Sequence, residues 1–168
     1  MLATGMRSKR FKDYNAITNQ ELEGGREMAV LYPSQEWCEE WKKALNKDEA
    51  VAQTGKNWGV GFNGNFLFEV QPGDGLDETA YVYLEAAAGK CSDSRLVKDP
   101  SEVELGFFVI GSYADFKPVV KGEKDFIEGV VRGVFKLKGD MSKIMRNAKF
   151  IRAVANSISS FENEYLGE

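Results

Sequence analysis

Between Trp37 and Val70 the apolar pattern of this chain changes its period. Trp37, Trp41 and Leu45 recur at spacing four, the repeat of one helix face. From Trp58 onward the apolar residues fall on even positions: Trp58, Val60, Phe62, Phe66, Phe68 and Val70. That is the repeat of one strand face. A chain carrying both periods has to lay helices on a sheet, which excludes a pure bundle and a pure sandwich.

The punctuation places the remaining elements. Ser34 is a good N-cap, and Glu36, Glu39 and Glu40 suit the early turns of a helix running to about Asn46. A short helix from Asp48 to about Thr54 follows. Asn63-Gly64 predicts a hairpin turn between two strands, and Pro72-Gly73-Asp74-Gly75 predicts a second turn. Ala80 to Ala88 and Glu102 to Ile110 read as strands. Ser112 caps a helix carrying Tyr113, Phe116, Val119 and Val120. A short helix from Asp125 to Val131 precedes a last strand, Val134 to Lys138. Asp140 then opens one long helix, on which Ile144, Ala148, Ile151, Ala155 and Ile158 share a face. The predicted class is α+β: a five-stranded, antiparallel-rich mixed sheet with helices packed on one face.

The chain has 168 residues, enough for one domain. Residues 1–27 are sparse in apolar groups and show no period, so they are expected to form a flexible tail. Residues 28–168 are expected to form the domain, and Met28 reads as an alternative start. The basic residues Arg7, Lys9, Arg10 and Lys12 are not followed by the apolar run of a secretory signal. No stretch is long enough to span a bilayer, so the cytoplasm is the expected location.

The chain contains 0 histidines, which removes the Ser-His-Asp triad, the Cys-His pair and every histidine-ligated metal site. Cys38 and Cys91 are too few for a structural zinc site and form no disulfide framework. No metal and no cofactor are expected. The net charge of −4 argues against a nucleic-acid partner.

Other motifs have bland readings. Gly59-Val60-Gly61-Phe62-Asn63-Gly64 fits G-x-G-x-x-G, but it falls within a strand pattern where the dinucleotide motif needs a following helix. Asp74, Asp77 and Glu78 lack the alternate spacing of a calcium loop and read as a solvated turn. Glu85, Glu104 and Asp115 are candidate acids, but no two of them are paired by sequence. Cys91 lies next to Lys90 and has no partner base. Lys143, Arg146, Lys149 and Arg152 recur at spacing three, with Lys136 and Lys138 upstream. This stripe reads as a solvated face, with weak contact to an anionic membrane surface as its functional alternative.

One stretch carries a family resemblance. It reads Gly-Ser-Tyr-Ala-Asp-Phe from Gly111, Val-Val-Lys-Gly-Glu-Lys-Asp from Val119, and Gly-Val-Phe-Lys-Leu-Lys-Gly-Asp from Gly133. Upstream, Phe66-Leu67-Phe68-Glu69-Val70 stands where an aromatic strand is expected. From about Tyr32 to Ser160 the chain resembles the sterol carrier protein type-two family. Phe126 stands where that family usually has proline. The resemblance implies a five-stranded sheet with helices on one face, enclosing an apolar tunnel for a fatty acyl chain, acyl-CoA, isoprenoid or sterol-like lipid. The positions expected to line it are Phe66, Phe68, Phe107, Val109, Phe116, Val131, Phe135, Ile144 and Ile151. It implies a non-enzymatic lipid carrier with no catalytic residue. The rival expectation is an accessory domain with a filled cavity that supports a partner protein or a lipid-modifying enzyme. An enzyme using Glu85 or Asp115 ranks behind both.

Overall fold

Ser34 starts the first helix, as its position predicts. In the computed structural model, which describes residues 28–168, the Ser34 hydroxyl accepts a hydrogen bond from the Trp37 N–H at 3.0 Å. The expected tail, 1–27, lies outside the described residues. Helix α1 (Gln35–Lys47) buries Trp37, Cys38, Trp41, Ala44 and Leu45, the spacing-four stripe and its neighbours. Asp48 caps α2 (Glu49–Thr54) by accepting from the Val51 N–H at 3.1 Å.

The next segment departs from expectation. Trp58, Val60 and Phe62 do not form a strand. Gly59 and Gly61 take φ values of 76° and 83°, which break the pleat. Val60 turns outward at 60 % exposure, while Trp58 is fully buried. The Trp58 indole N–H donates to the Gly64 carbonyl at 2.8 Å. A Cβ on Gly64 would collide with that indole nitrogen, so glycine here makes room for a ring and not for a hairpin.

The sheet has strands β2 (Phe66–Gln71), β3 (Ala80–Ala87), β4 (Lys90–Val97), β5 (Phe107–Ser112) and β6 (Lys136–Lys138), in the order β4-β3-β2-β5-β6. Only the β2–β5 pair is parallel. Strand β4, at the sheet edge beside β3, supplies the fifth strand instead of the expected Trp58 strand, and the place beside β2 is taken by β3 and β5. Strand β4 is joined to β3 by Ala88-Gly89, with φ of 54° and 81°, the double positive φ of a tight hairpin. Glu102 belongs to a 3₁₀ turn, Pro100–Glu102, and β5 begins only at Phe107. A further strand, β1 (Val30–Tyr32), precedes α1 and pairs in parallel with β7 (Asn163–Tyr165), a two-stranded sheet that the periodicity did not predict.

Helices α3 (Tyr113–Val120), α4 (Phe126–Val131), α5 (Met141–Arg146) and α6 (Ala148–Asn156) follow, the first three capped by Ser112, Asp125 and Asp140. The predicted long final helix is broken at Asn147. Its Nδ2 donates to the Lys143 carbonyl at 2.8 Å, and its backbone N–H is shared between the Lys143 and Ile144 carbonyls. An asparagine side chain that competes for backbone partners ends a helix in this way. A 3₁₀ turn, Ser157–Ser160, continues to β7.

The architecture is α+β, with the helices on one face of the mixed sheet. The core forms between them, on the face carrying Phe66, Phe68, Val70, Val82, Phe107 and Val109. The opposite face holds a small cluster of Leu67, Tyr83 and Val97 beneath Val103 and Leu105 of the β4–β5 connection. Among the described residues, no helix is long and apolar enough to cross a membrane.

Candidate functional site

An apolar cavity of about 60 Å³ lies between the sheet and the helices. Phe66 and Phe68 of β2 and Val82 of β3 form its floor. Trp37 and Trp41 of α1, with Tyr32 of β1, form one wall. Phe116, Val119 and Val120 of α3 and Phe126 of α4 form another, and Ile151, Val154, Ala155 and Ile158 close it.

Phe68 is at its centre. Its ring lies 5.5 Å from Phe66, 6.2 Å from Trp41, 6.2 Å from Phe116 and 6.3 Å from Phe126. It is only half-buried although it sits mid-sheet on the covered face, because its ring borders empty space. The tryptophans keep their polar tips out of the cavity. Trp37 donates its indole N–H to Asn163 Oδ1 at 2.6 Å, and Trp41 donates to Ser157 Oγ at 3.1 Å.

A polar cleft of about 220 Å³ adjoins the cavity. Val119, Phe126 and Ala155 border both spaces. Glu123, Lys124, Asp125, Arg152 and Asn156 supply the polar rim. Arg152 bridges it, with Nε 3.0 Å from Asp125 Oδ1 and Nη2 3.2 Å from Oδ2. That hydrogen bond holds the Asp125 carboxyl below its ordinary range, assisted by the Glu128 N–H.

Of the residues expected to line a tunnel, Phe66, Phe68, Phe116 and Ile151 line the cavity. Phe107, Val109, Phe135 and Ile144 are buried in the same core but stand behind it. Phe135, for instance, stacks at 4.5 Å on Phe116 and so backs the wall. Val131 is a correction. It is 64 % exposed, because Phe126, Ile127 and Val130 take the inward face of α4. Sequence reasoning missed the other lining residues, among them Tyr32, Trp37, Trp41, Val119, Val120 and Phe126. Their signal was the aromatic stripe of α1, read as one apolar helix face, and Phe126, noted only as standing where the family usually has proline.

No carboxylate lines the cavity. Glu85 accepts from the Ser92 hydroxyl at 2.7 Å and the Tyr83 hydroxyl at 3.1 Å. Burial and the Glu85 charge push Tyr83 up to about 12. Asp115 and Glu104 are exposed. Asp74 pairs with Lys117 at 2.7 Å, and no cluster of metal-ligating side chains occurs among the described residues. Burial raises both thiols, Cys91 to about 11 and Cys38 further, so neither is a nucleophile at neutral pH. At the glycine motif, the space at Gly64 is taken by the Trp58 ring, and a Cβ on Gly59 would abut the Ala86 carbonyl at 3.0 Å, so no phosphate cradle forms.

The same architecture occurs in solved structures. The crystal structure of sterol carrier protein 2 matches with a TM-score of 0.67 at 21 % identity, over 76 % of this chain and 97 % of that one. The solution structure of a conserved hypothetical protein from Thermus thermophilus matches with a TM-score of 0.69 at 18 % identity, over 85 % of this chain and 97 % of that one. No family model matches the chain, and no curated protein matches its sequence. The protein therefore has the sterol carrier protein fold.

Proposed function

We propose that this protein binds an apolar lipid ligand in the cavity and carries it without catalysing a reaction. The observation that supports this is a cavity walled by aromatic and aliphatic side chains from both sheet and helices, with no charged group among them. Removing ligand carbons from water supplies roughly 0.8 kcal/mol per methylene, and such binding needs no proton transfer. The fold shared with sterol carrier protein 2 supports the same reading. The cavity is small beside the roughly 300–1,000 Å³ of common small-molecule sites. A ligand therefore has to displace the Phe68 and Phe126 rings or part α4 from α6. The small volume equally favours the second reading, an accessory domain with a filled core.

Displacement of a fluorescent fatty acid separates the two. A carrier binds it at micromolar levels and releases it more readily to longer unlabelled chains than to shorter ones. Phe68→Trp, which fills the centre of the cavity, is expected to weaken this binding about tenfold. No binding across acyl chains, acyl-CoA and isoprenoids leaves only the filled-core reading.

The polar cleft is the proposed entrance, with Arg152 and Asp125 as its latch. The Asp125 carboxyl is depressed in the folded state, so the pair holds above the ordinary aspartate value of about 3.9 and is lost as pH falls through the lowered one. Ligand exchange should be flat from pH 8 to 5 and quicken only in stronger acid. Asp125→Asn should give fast exchange already at pH 7. Equal exchange rates in the variant and the wild type would place the entrance elsewhere.

A surface for loading lies on the consecutive elements α4, β6 and α5 and the start of α6. Residues 129–152 carry seven basic side chains and one acidic one, Asp140. This net charge of +6 leaves −10 for the rest of the chain. Of the four exposed large hydrophobics among the described residues, Val131, Val134 and Met145 lie in the same segment. Exposed aliphatic groups among cations match the surface of an anionic bilayer.

A further inference from the structure

Four large hydrophobic side chains stand exposed among the described residues: Val60, Val131, Val134 and Met145. The last three belong to the basic segment 129–152. Val60 comes far earlier in the chain, in the loop 55–65 between α2 and β2, yet the fold seats that loop against the same segment. Phe62 makes the contact. The Lys143 ammonium of α5 lies 5.0 Å from the centre of its ring. The ring also meets Trp58 edge-on at 5.1 Å and Phe107 at 6.4 Å. Phe107 in turn lies so close to Gly139 that a Cβ there would come within 2.7 Å of it. The base of the loop is therefore fixed against the link between β6 and α5.

Val60 stands two residues from Phe62 and outside this packing. Gly59 and Gly61 on either side of it take positive φ, and the space beside Gly61 is open. Between Glu49 and Glu69 the chain carries no acidic residue, and its one charge there is Lys56. A single exposed valine needs no explanation. Here, however, every large exposed hydrophobic among the described residues lies on the basic segment or on the loop seated against it.

Resting on the loading surface described above, we infer that the loop 55–65 is the part of that surface that enters an anionic bilayer, with Val60 at the boundary of headgroups and acyl chains and the basic segment against the headgroups. The four hydrophobic groups are not equivalent for this purpose. Val131, Val134 and Met145 each have a lysine or arginine within two residues, and those charges belong among the headgroups. Val60 has no charged residue within three positions on either side, so its tip can leave water without desolvating a charge. An apolar tip beside cations is the composition that settles into the interface of an anionic membrane.

The test uses the full chain with a reporter on the loop. Cys38 and Cys91 are buried, so a maleimide dye attaches selectively to an introduced exposed cysteine. Val60→Cys is compared with Thr79→Cys, an exposed position in the turn at the far end of β2, each carrying a nitrobenzoxadiazole dye. On vesicles of phosphatidylcholine with added phosphatidylserine, the dye at 60 should shift to the blue and be quenched by nitroxide-labelled acyl chains. The dye at 79 should do neither. Unlabelled Val60→Asp should bind the same vesicles about tenfold more weakly than the wild type. It should melt within about 2 °C of the wild type, because the side chain it replaces is exposed. A dye at 60 that stays unshifted while the protein sediments with the vesicles overturns the role of the loop and leaves the basic surface standing. So does an equal shift at 79, or undiminished binding by Val60→Asp. Failure of the wild type to sediment with these vesicles overturns the loading surface itself, and the loop with it.

Discussion

Trp58→Ala should lower the folding free energy by about 3–5 kcal/mol, the cost of emptying a fully enclosed aromatic site. The ring ties together four parts of the protein. It stacks on Phe66 of β2 at 5.7 Å, meets Phe107 of β5 at 5.2 Å and Phe150 of α6 at 5.4 Å, and takes Phe62 edge-on at 5.1 Å. Its indole also satisfies the Gly64 carbonyl. Gly55 and Gly64 are fitted to these rings, since a Cβ on Gly55 would strike Phe150 and one on Gly64 would strike Trp58 itself. The surroundings therefore cannot collapse into the vacancy without moving the backbone of the loop. At roughly 2–4 °C per kcal/mol for a domain of this size, the midpoint should fall on the order of 10 °C. Trp58→Phe separates the two contributions. It keeps most of the ring and leaves the carbonyl unpaired, so about 1–3 kcal/mol is expected. Thermal and denaturant unfolding of both variants measure this. A loss below about 1 kcal/mol for the alanine would mean that the loop rests loosely on the core.

Trp58 also shows where the sequence was legible and where it was not. Its even spacing with Phe66 and Phe68 was a real signal of a shared face, for all three rings stack on one side of the sheet. Periodicity reports which residues face the core but not whether the backbone between them is extended. Two glycines with positive φ brought Trp58 to that face from a turn. The caps at Ser34, Asp48, Ser112, Asp125 and Asp140 were readable because an N-cap is a local hydrogen bond between near neighbours. Strand β4 was not. Lys90-Cys91-Ser92-Asp93-Ser94-Arg95 is polar, and its pairing with β3 rests on backbone bonds and an Ala-Gly turn without the usual asparagine. The pairing of β1 with β7 is a long-range contact between short segments and carries no local pattern. The break at Asn147 was hidden because Ile144, Ala148 and Ile151 keep a helical spacing across it. The candidate site was half legible for a related reason. Apolar spacing places Phe66, Phe68, Phe116 and Ile151 inward, but only packing decides which inward residues border empty space and which, such as Phe135, stand one layer behind.

The broken helix changes which charges face outward together, and this shapes the second large effect. Replacing Lys136, Arg146 and Lys149 with glutamate should reduce binding to anionic vesicles by at least about 100-fold. Each basic residue near such a surface contributes about 1 kcal/mol, and reversal adds repulsion. These three are exposed. Lys143 is a poorer choice, since its Nζ lies 3.4 Å from Asp140 Oδ2 and 5.0 Å over the Phe62 ring. Arg152 is engaged by Asp125. The remainder of the chain, at −10, repels an anionic bilayer, so binding is expected only in orientations that present this basic segment, with its exposed Val131, Val134 and Met145, to the interface. Binding should accordingly fall steeply between 0.1 M and 1 M salt, where the screening length shrinks from about 10 Å to about 3 Å. Val131→Asp with Val134→Asp should also weaken it, without loss of stability, because both side chains are exposed. Sedimentation with vesicles of phosphatidylcholine alone and with added phosphatidylserine provides the measurement, and probe displacement in solution should be unchanged in every variant. Equal binding to both vesicle types, or insensitivity to the charge reversals, would reduce the segment to a solvated face. Loss of vesicle binding with intact solution affinity would instead show that loading and holding are separate tasks, the first set by charge on β6, α5 and α6 and the second by the aromatic wall behind Arg152.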